Sequence, residues 1–100
     1  MPALNQRDAI HYIATGREFT ASALEGRVYS VGNGRLNNEE TARYNEALNT
    51  ANFWVYSYST PIAWRTAEGW YVVEQKFSVT TSKHQNLTRR AVAESLQGAN

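Results

Sequence analysis

Phe53-Trp54-Val55-Tyr56-Ser57-Tyr58-Ser59-Thr60-Pro61-Ile62-Ala63-Trp64-Arg65-Thr66, followed by Ala67-Glu68-Gly69 and Trp70-Tyr71-Val72-Val73, is the stretch that decides the fold. Of the chain's 12 aromatic residues, 8 lie between Phe53 and Val79, and aromatic and β-branched residues at that density mark a sheet. Phe53 to Tyr58 reads as one strand. Pro61 has no N–H to give a ladder, so Ser59-Thr60-Pro61 is expected to form a corner or bulge that feeds a second strand, Ile62 to Thr66. Ala67-Glu68-Gly69 turns the chain, and Trp70 to Val79 returns as a long third strand. In the first strand Trp54, Tyr56 and Tyr58 point one way and Phe53, Val55 and Ser57 the other. Both faces therefore carry apolar mass, and both invite cover.

Upstream, Ala9, Ile10, Ile13 and Ala14 recur at the helical period, with Asn5 placed to cap against Asp8. This predicts a helix over Gln6 to Thr15 stopped by Gly16. Glu18 to Leu24 alternates and Arg27 to Val31 is rich in β-formers, so Glu25-Gly26 is expected to be a tight hairpin turn. Gly32-Asn33-Gly34 reads as a loop. Asn37 followed by Glu40 caps a second helix, 38–51, with Tyr44, Ala47, Leu48 and Ala51 as its stripe. Downstream, Ser82-Lys83-His84-Gln85 fits a capping box with Ser82 as the cap. Leu87, Ala91, Val92, Ser95 and Leu96 form the buried stripe of a last helix ending at Gly98. The order α-ββ-α-βββ-α predicts a single α+β domain over residues 1–100, with about three helices laid on a mainly antiparallel sheet.

The composition narrows the function classes. Of 42 % hydrophobic letters in 100 residues, 13 are alanine, which leaves enough larger side chains for one modest core and no second. There is no cysteine, so disulfides, thiolate zinc sites and thiol nucleophiles are excluded. Met1-Pro2-Ala3-Leu4-Asn5-Gln6 has neither the basic start nor the apolar run of a signal peptide, and no window is long and apolar enough to span a membrane. The expectation is a soluble, intracellular chain. A formal net charge of +1 argues against a phosphate-coating protein and against an acidic mimic of DNA. Charge is nonetheless uneven: no acid lies between Glu74 and Glu94, while Lys76, Lys83, Arg89 and Arg90 all fall there.

Chemistry has few places to sit. A hydrolase needs a nucleophile with a base beside it, and the sequence offers His84 with the hydroxyls of Thr80, Thr81 or Ser82. A Ser-Lys-His run at a helix start is equally explained by the cap. His11 and His84 stand far apart without clustered carboxylates, so neither a metal nor a cofactor is expected. Glu39-Glu40 looks like a carboxylate pair, but adjacent acids at a helix N-terminus favour the macrodipole. Gly32-Asn33-Gly34 lacks the lysine and the strand-to-helix context of a phosphate loop. The aromatic block can be core, or it can leave a strip for stacking bases or for binding a protein. Arg65 beside Trp64 is placed to stack on a ring. Lys83 to Arg90 can be a solvated helix face, with Arg90 and Glu94 paired at i, i+4.

Two runs are suggestive together: Tyr56-Ser57-Tyr58-Ser59-Thr60-Pro61-Ile62-Ala63-Trp64 and Phe77-Ser78-Val79-Thr80-Thr81-Ser82-Lys83-His84-Gln85. The pair resembles the signature of a family of small uncharacterised proteins from tailed bacteriophages of actinobacteria, over roughly residues 53–86, with a looser similarity around Phe19 to Gly26. The resemblance implies a domain of unknown function, a phage source and the host cytoplasm, and it assigns no activity. Polar decoration of the strand-to-helix junction exceeds what a cap requires, and free N–H groups there beside Lys83 and His84 would suit an anion.

The expectation that results is a non-enzymatic protein acting by binding a host or phage protein in a modulatory role. Trp54, Tyr56, Tyr58, Trp64, Arg65 and Trp70 are its candidate contact residues. The alternative is nucleic-acid binding through Lys83, His84, Arg89 and Arg90. A hydrolytic activity at Thr81 and His84 is the third reading.

Overall fold

The computed structural model describes residues 1–98. Three helices and five strands follow in the order α1 (Gln6–Thr15), β1 (Phe19–Ala21), β2 (Leu24–Arg27), α2 (Asn38–Ala47), β3 (Phe53–Ser57), β4 (Thr60–Thr66), β5 (Gly69–Val72) and α3 (Val79–Gly98). The strands form one antiparallel sheet in sequence order, β1-β2-β3-β4-β5. The expected α+β class and element order are those observed.

Both faces of the sheet are covered. On one, Ala9, Ile10 and Ile13 of α1 and Ala91 of α3 pack with Phe19, Leu24, Phe53, Val55 and Ala63. On the other, Tyr44 and Ala47 of α2 pack against Trp54, Tyr56, Trp64 and Val73. Here Trp54 lies 5.3 Å from Tyr44 and 5.4 Å from Trp64, and Trp64 lies 5.1 Å from Tyr71, centroid to centroid. Burying each such ring stabilises by about 1.5–3 kcal/mol, whereas the exposed Arg43–Glu39 pair at 3.1 Å belongs to a class worth about 0–1 kcal/mol. Ring packing outweighs that surface pair, and the buried Glu40 carboxylate, which accepts from Tyr71 OH at 2.6 Å, ties α2 to the sheet as well.

Several boundaries differ from the sequence reading, each for a local reason. The first hairpin turns at Ser22-Ala23, with Ser22 at φ 56°, and Glu25-Gly26 lies inside β2. Gly26 is there for room: a Cβ would meet Phe19 at 2.5 Å and Phe53 at 2.7 Å. Strand β2 stops at Arg27, and α2 stops at Ala47 rather than at 51. Strand β3 ends at Ser57, and Tyr58 and Ser59, at φ 50° and 66°, make a two-residue turn of the kind that matches strand twist. Thr60 and Pro61 therefore belong to β4. The missing N–H of Pro61 is tolerated because the register slips beside it, pairing Val55 with Ala63 but Tyr56 with Pro61.

The long third strand ends at Val72. Beyond it Val73 N–H makes one last ladder bond, to Ile62 O at 2.8 Å, and side chains then take over backbone groups. Gln85 Nε2 donates to Val73 O at 2.8 Å and to Gln75 O at 3.1 Å, and Glu74 N–H donates to Glu40 Oε2 at 2.9 Å. Helix α3 starts at Val79, three residues ahead of the expected position. Ser78 is the cap: its Oγ accepts from Thr81 N–H at 3.2 Å, and Ser82 sits in the first turn. Leu96, expected in the buried stripe, is 68 % exposed.

Candidate functional site

The strand-to-helix junction is the first candidate, and the structure turns it inward. His84 is 1 % exposed, not solvent-facing. Its Nδ1 lies 2.6 Å from Ser57 Oγ and its Nε2 lies 3.0 Å from the side-chain nitrogen of Gln6. With the Gln6 amide donating to Nε2, the ring proton sits on Nδ1 and is donated to Ser57. The Ser57 hydroxyl donates onward to Thr81 Oγ1 at 3.2 Å, which also accepts from Ser78 at 3.3 Å. Tyr58 stacks over the imidazole at 6.2 Å. Burial holds His84 below the ordinary histidine range, so the ring is neutral at pH 7. A hydroxyl that accepts from the histidine and spends its own hydrogen on Thr81 is not activated as a nucleophile. The set is a polar bolt joining α1, β3 and α3. Residues of the Tyr56–Trp64 and Phe77–Gln85 runs meet here, which accounts for the surplus of Ser, Thr, His and Gln without an anion seat at His84.

The aromatic candidates divide by burial. Trp54, Tyr56 and Trp64 are buried at 1 %, 0 % and 3 % exposure, and of the three only Trp64 lines an open concavity, the groove described below, among the described residues. Tyr56 pins the loop after β2: its OH accepts from Val31 N–H at 2.7 Å and donates to Gly32 O at 3.3 Å. Burial pushes its phenol up. Arg65 is taken internally too. Its guanidinium lies 5.8 Å from the Phe53 ring and 5.9 Å from that of Trp70, and its Nε donates to Asn52 Oδ1 at 2.8 Å. Tyr58 is exposed and Trp70 half-buried. They sit at opposite ends of the sheet, because Tyr58 occupies the β3–β4 turn while Trp70 pairs with Arg65, which pairs with Phe53. Tyr58 also leaves the face shared by Trp54 and Tyr56, since the left-handed turn ends the strand alternation.

Trp70 borders an open groove of about 750 Å³ between α2 and the β4–β5 hairpin. Arg43, Glu46 and Ala47 line one wall, and Glu68, Trp70 and Tyr71 the other. The groove is anchored by Glu40, a carboxylate 3 % exposed that accepts from Tyr71 OH at 2.6 Å and from Glu74 N–H, with Arg43 at 3.4 Å. Burial and the Glu40 carboxylate push the Tyr71 phenol well above its ordinary range. Glu40 thus does more than favour the helix dipole. The indole N–H of Trp70 is buried and has no acceptor among the described residues, a cost that well-packed core tryptophans avoid.

The basic residues of the last helix do not gather with Arg65. Lys83, Arg89 and Arg90 are exposed along α3, while Arg65 is committed at the far end of the sheet. Arg89 donates to Asn86 Oδ1 at 3.0 Å. Glu94, the expected partner of Arg90, instead meets His11 Nδ1 at 2.7 Å. Among the described residues no group of three or more His, Asp or Glu could hold a metal, and no helix is long and apolar enough to cross a membrane.

Residues 14–95 match a family of unknown function (DUF8033), and the chain belongs to that family. No curated protein and no solved structure matches it.

Proposed function

We propose that this DUF8033 member acts by binding another protein, without catalysis, through the groove between α2 and the β4–β5 hairpin. The observation that carries the reading is the groove itself: about 750 Å³ of open concavity lined by Trp64, Tyr71 and, at its border, Trp70, whose ring leans on Phe53 across the sheet edge, aromatic types enriched where proteins meet. With Trp54 and Tyr56 buried and Arg65 half-buried against Phe53 and Trp70, this reading retains Trp64 and Trp70 of the aromatic block, which line the groove with Tyr71 beside them. A near-neutral chain suits a protein partner better than a phosphate backbone. The resemblance of its two signature runs to small proteins of actinobacterial tailed phages supports a partner in an infected cell, a host or phage protein met in the cytoplasm.

The experiment is affinity capture from an actinobacterial lysate with the wild-type chain and with Trp70→Ala, each checked for folding by its amide spectrum. The variant should fold and bind the captured protein at least about 2 kcal/mol more weakly, as expected for an interface anchor. A folded Trp70→Ala that binds as wild type does would remove the groove from the account.

A second reading, nucleic-acid binding, is favoured by one observation: Lys83, Arg89 and Arg90 form no ion pair among the described residues. So few cations imply weak binding with a log-log salt slope no steeper than about −3. Absence of any shift with duplex and single-stranded probes at about 50 mM salt would dismiss it.

A further inference from the structure

The two edges of the sheet are finished differently. Beside β1 the chain's own first residues run parallel to it: Leu4 N–H donates to Thr20 O at 2.7 Å, Thr20 N–H donates to Pro2 O at 2.9 Å, and Ala3 bridges to Thr20. That edge is closed. Strand β5 pairs with β4 alone. Val73 N–H donates to Ile62 O at 2.8 Å, and the register sets Tyr71 opposite Trp64 and Gly69 opposite Thr66. By antiparallel alternation Gly69, Tyr71 and Val73 aim their backbone groups at β4, while Trp70 and Val72 aim theirs away from the sheet. No partner for those outward groups occurs among the described residues.

The open edge runs beside the groove, and the groove has a sign. Glu46 on α2 and Glu68 on the hairpin both line it and form no ion pair among the described residues. Its cation, Arg43, is occupied by Glu39 at 3.1 Å and Glu40 at 3.4 Å. An occupant that satisfies everything on show must offer backbone N–H and C=O groups in extended form, together with positive charge.

We propose that β5 is a docking edge that receives an extended, lysine- or arginine-bearing segment of the partner protein as a sixth strand. Its backbone pairs with Trp70 and Val72, and its cations meet Glu46 and Glu68. In strand addition the main-chain hydrogen bonds supply affinity and the neighbouring side-chain sites supply selectivity. The two positions differ in kind: the edge reads extension, and the two carboxylates read charge. The short length of β5 and the closed β1 edge leave little else for a strand to join, which limits indiscriminate edge-to-edge association. The inference rests on the protein-binding reading of the groove and adds to it the mode of docking and the chemistry of the segment.

The test selects peptides from a random displayed library on the intact chain and measures the selected peptide by fluorescence anisotropy. Val72→Pro is the decisive variant, compared with Val72→Ala, because it removes an N–H that the ladder does not use. Selected sequences should be rich in Lys and Arg, and Val72→Pro should weaken binding at least about tenfold relative to Val72→Ala, or about 1.4 kcal/mol. Should Val72→Pro fail to fold, N-methylation of alternate peptide amides makes the same cut from the ligand side and should give the same loss. Glu46→Lys with Glu68→Lys should turn the preference from basic to acidic peptides. A library that yields no binder, yields sequences without basic bias, or yields peptides indifferent to both backbone changes overturns the proposal. If Trp70→Ala abolishes binding while both backbone changes leave it intact, the groove reading stands and strand addition falls.

Discussion

Ser57 and His84 show how one side chain can decide whether a neighbour is chemistry or architecture. The imidazole is held on both nitrogens, by Ser57 at 2.6 Å and Gln6 at 3.0 Å, so removing either partner strands a buried polar atom. Ser57→Ala should cost about 1–3 kcal/mol of unfolding free energy, read by urea titration. The same burial makes stability depend on pH. Because the folded state holds His84 below its unfolded value, the stabilisation is complete above about pH 6.5, the unfolded value, and is lost as pH falls through the lower folded value. Melting temperature should therefore decline on acidification from pH 7.5 to pH 5, at up to about 1.4 kcal/mol per pH unit, and His84→Gln should flatten that decline. An unchanged slope in the variant would show that another group titrates. At this scale the local signals were readable from sequence. Asn5 and Asn37 cap where the pattern places them, accepting from Asp8 and Glu40 at 2.8 Å each. The Ser57–His84 contact was not readable, because it spans 27 positions and depends on how α3 lies on β3.

Helix α3 illustrates what an element's own sequence leaves undecided. Ser82-Lys83-His84-Gln85 satisfies the capping-box pattern, yet Gln85 is drawn to the carbonyls of Val73 and Gln75 and Ser78 takes the cap. Tertiary demand for the Gln85 amide outbids the reciprocal cap and moves the helix start forward. Ser78→Ala should lower stability by about 1 kcal/mol, while Ser82→Ala should stay within about 0.5 kcal/mol, as for a partly exposed site with no special role. Chemical denaturation of the two variants side by side checks this, and equal losses would return the cap to Ser82. The same competition shortened β5, expected to run on to Val79, because Gln85 claims the carbonyls of Val73 and Gln75 and Glu40 claims the Glu74 N–H. Gly26 misled for a related reason. A glycine in a short β segment reads as a turn, but here it makes room for Phe19 and Phe53, two rings whose meeting is visible only once β2 lies between β1 and β3.

On the scale of the whole molecule, three helices divide over two faces of a five-stranded sheet, and that division determines which aromatics are structural. The strand alternation correctly separated Trp54 and Tyr56 from Phe53 and Val55. It could not tell that α2 would cover the first set, since coverage depends on the connection through residues 28–37 rather than on the strand. Of the aromatic block in the β3–β5 region, a hairpin edge beside a groove at one end of the sheet and the Tyr58 turn at the other remain reachable. The central claim is that a partner protein engages the first of these. The most direct measurement is the amide spectrum of the isotopically labelled chain titrated with the captured partner. The account predicts shifts concentrated at Gly69 to Val72 and along Arg43 to Ala47. Shifts centred on Tyr58 to Thr60 or on Lys83 to Arg90, with Gly69 to Val72 unmoved, would contradict it.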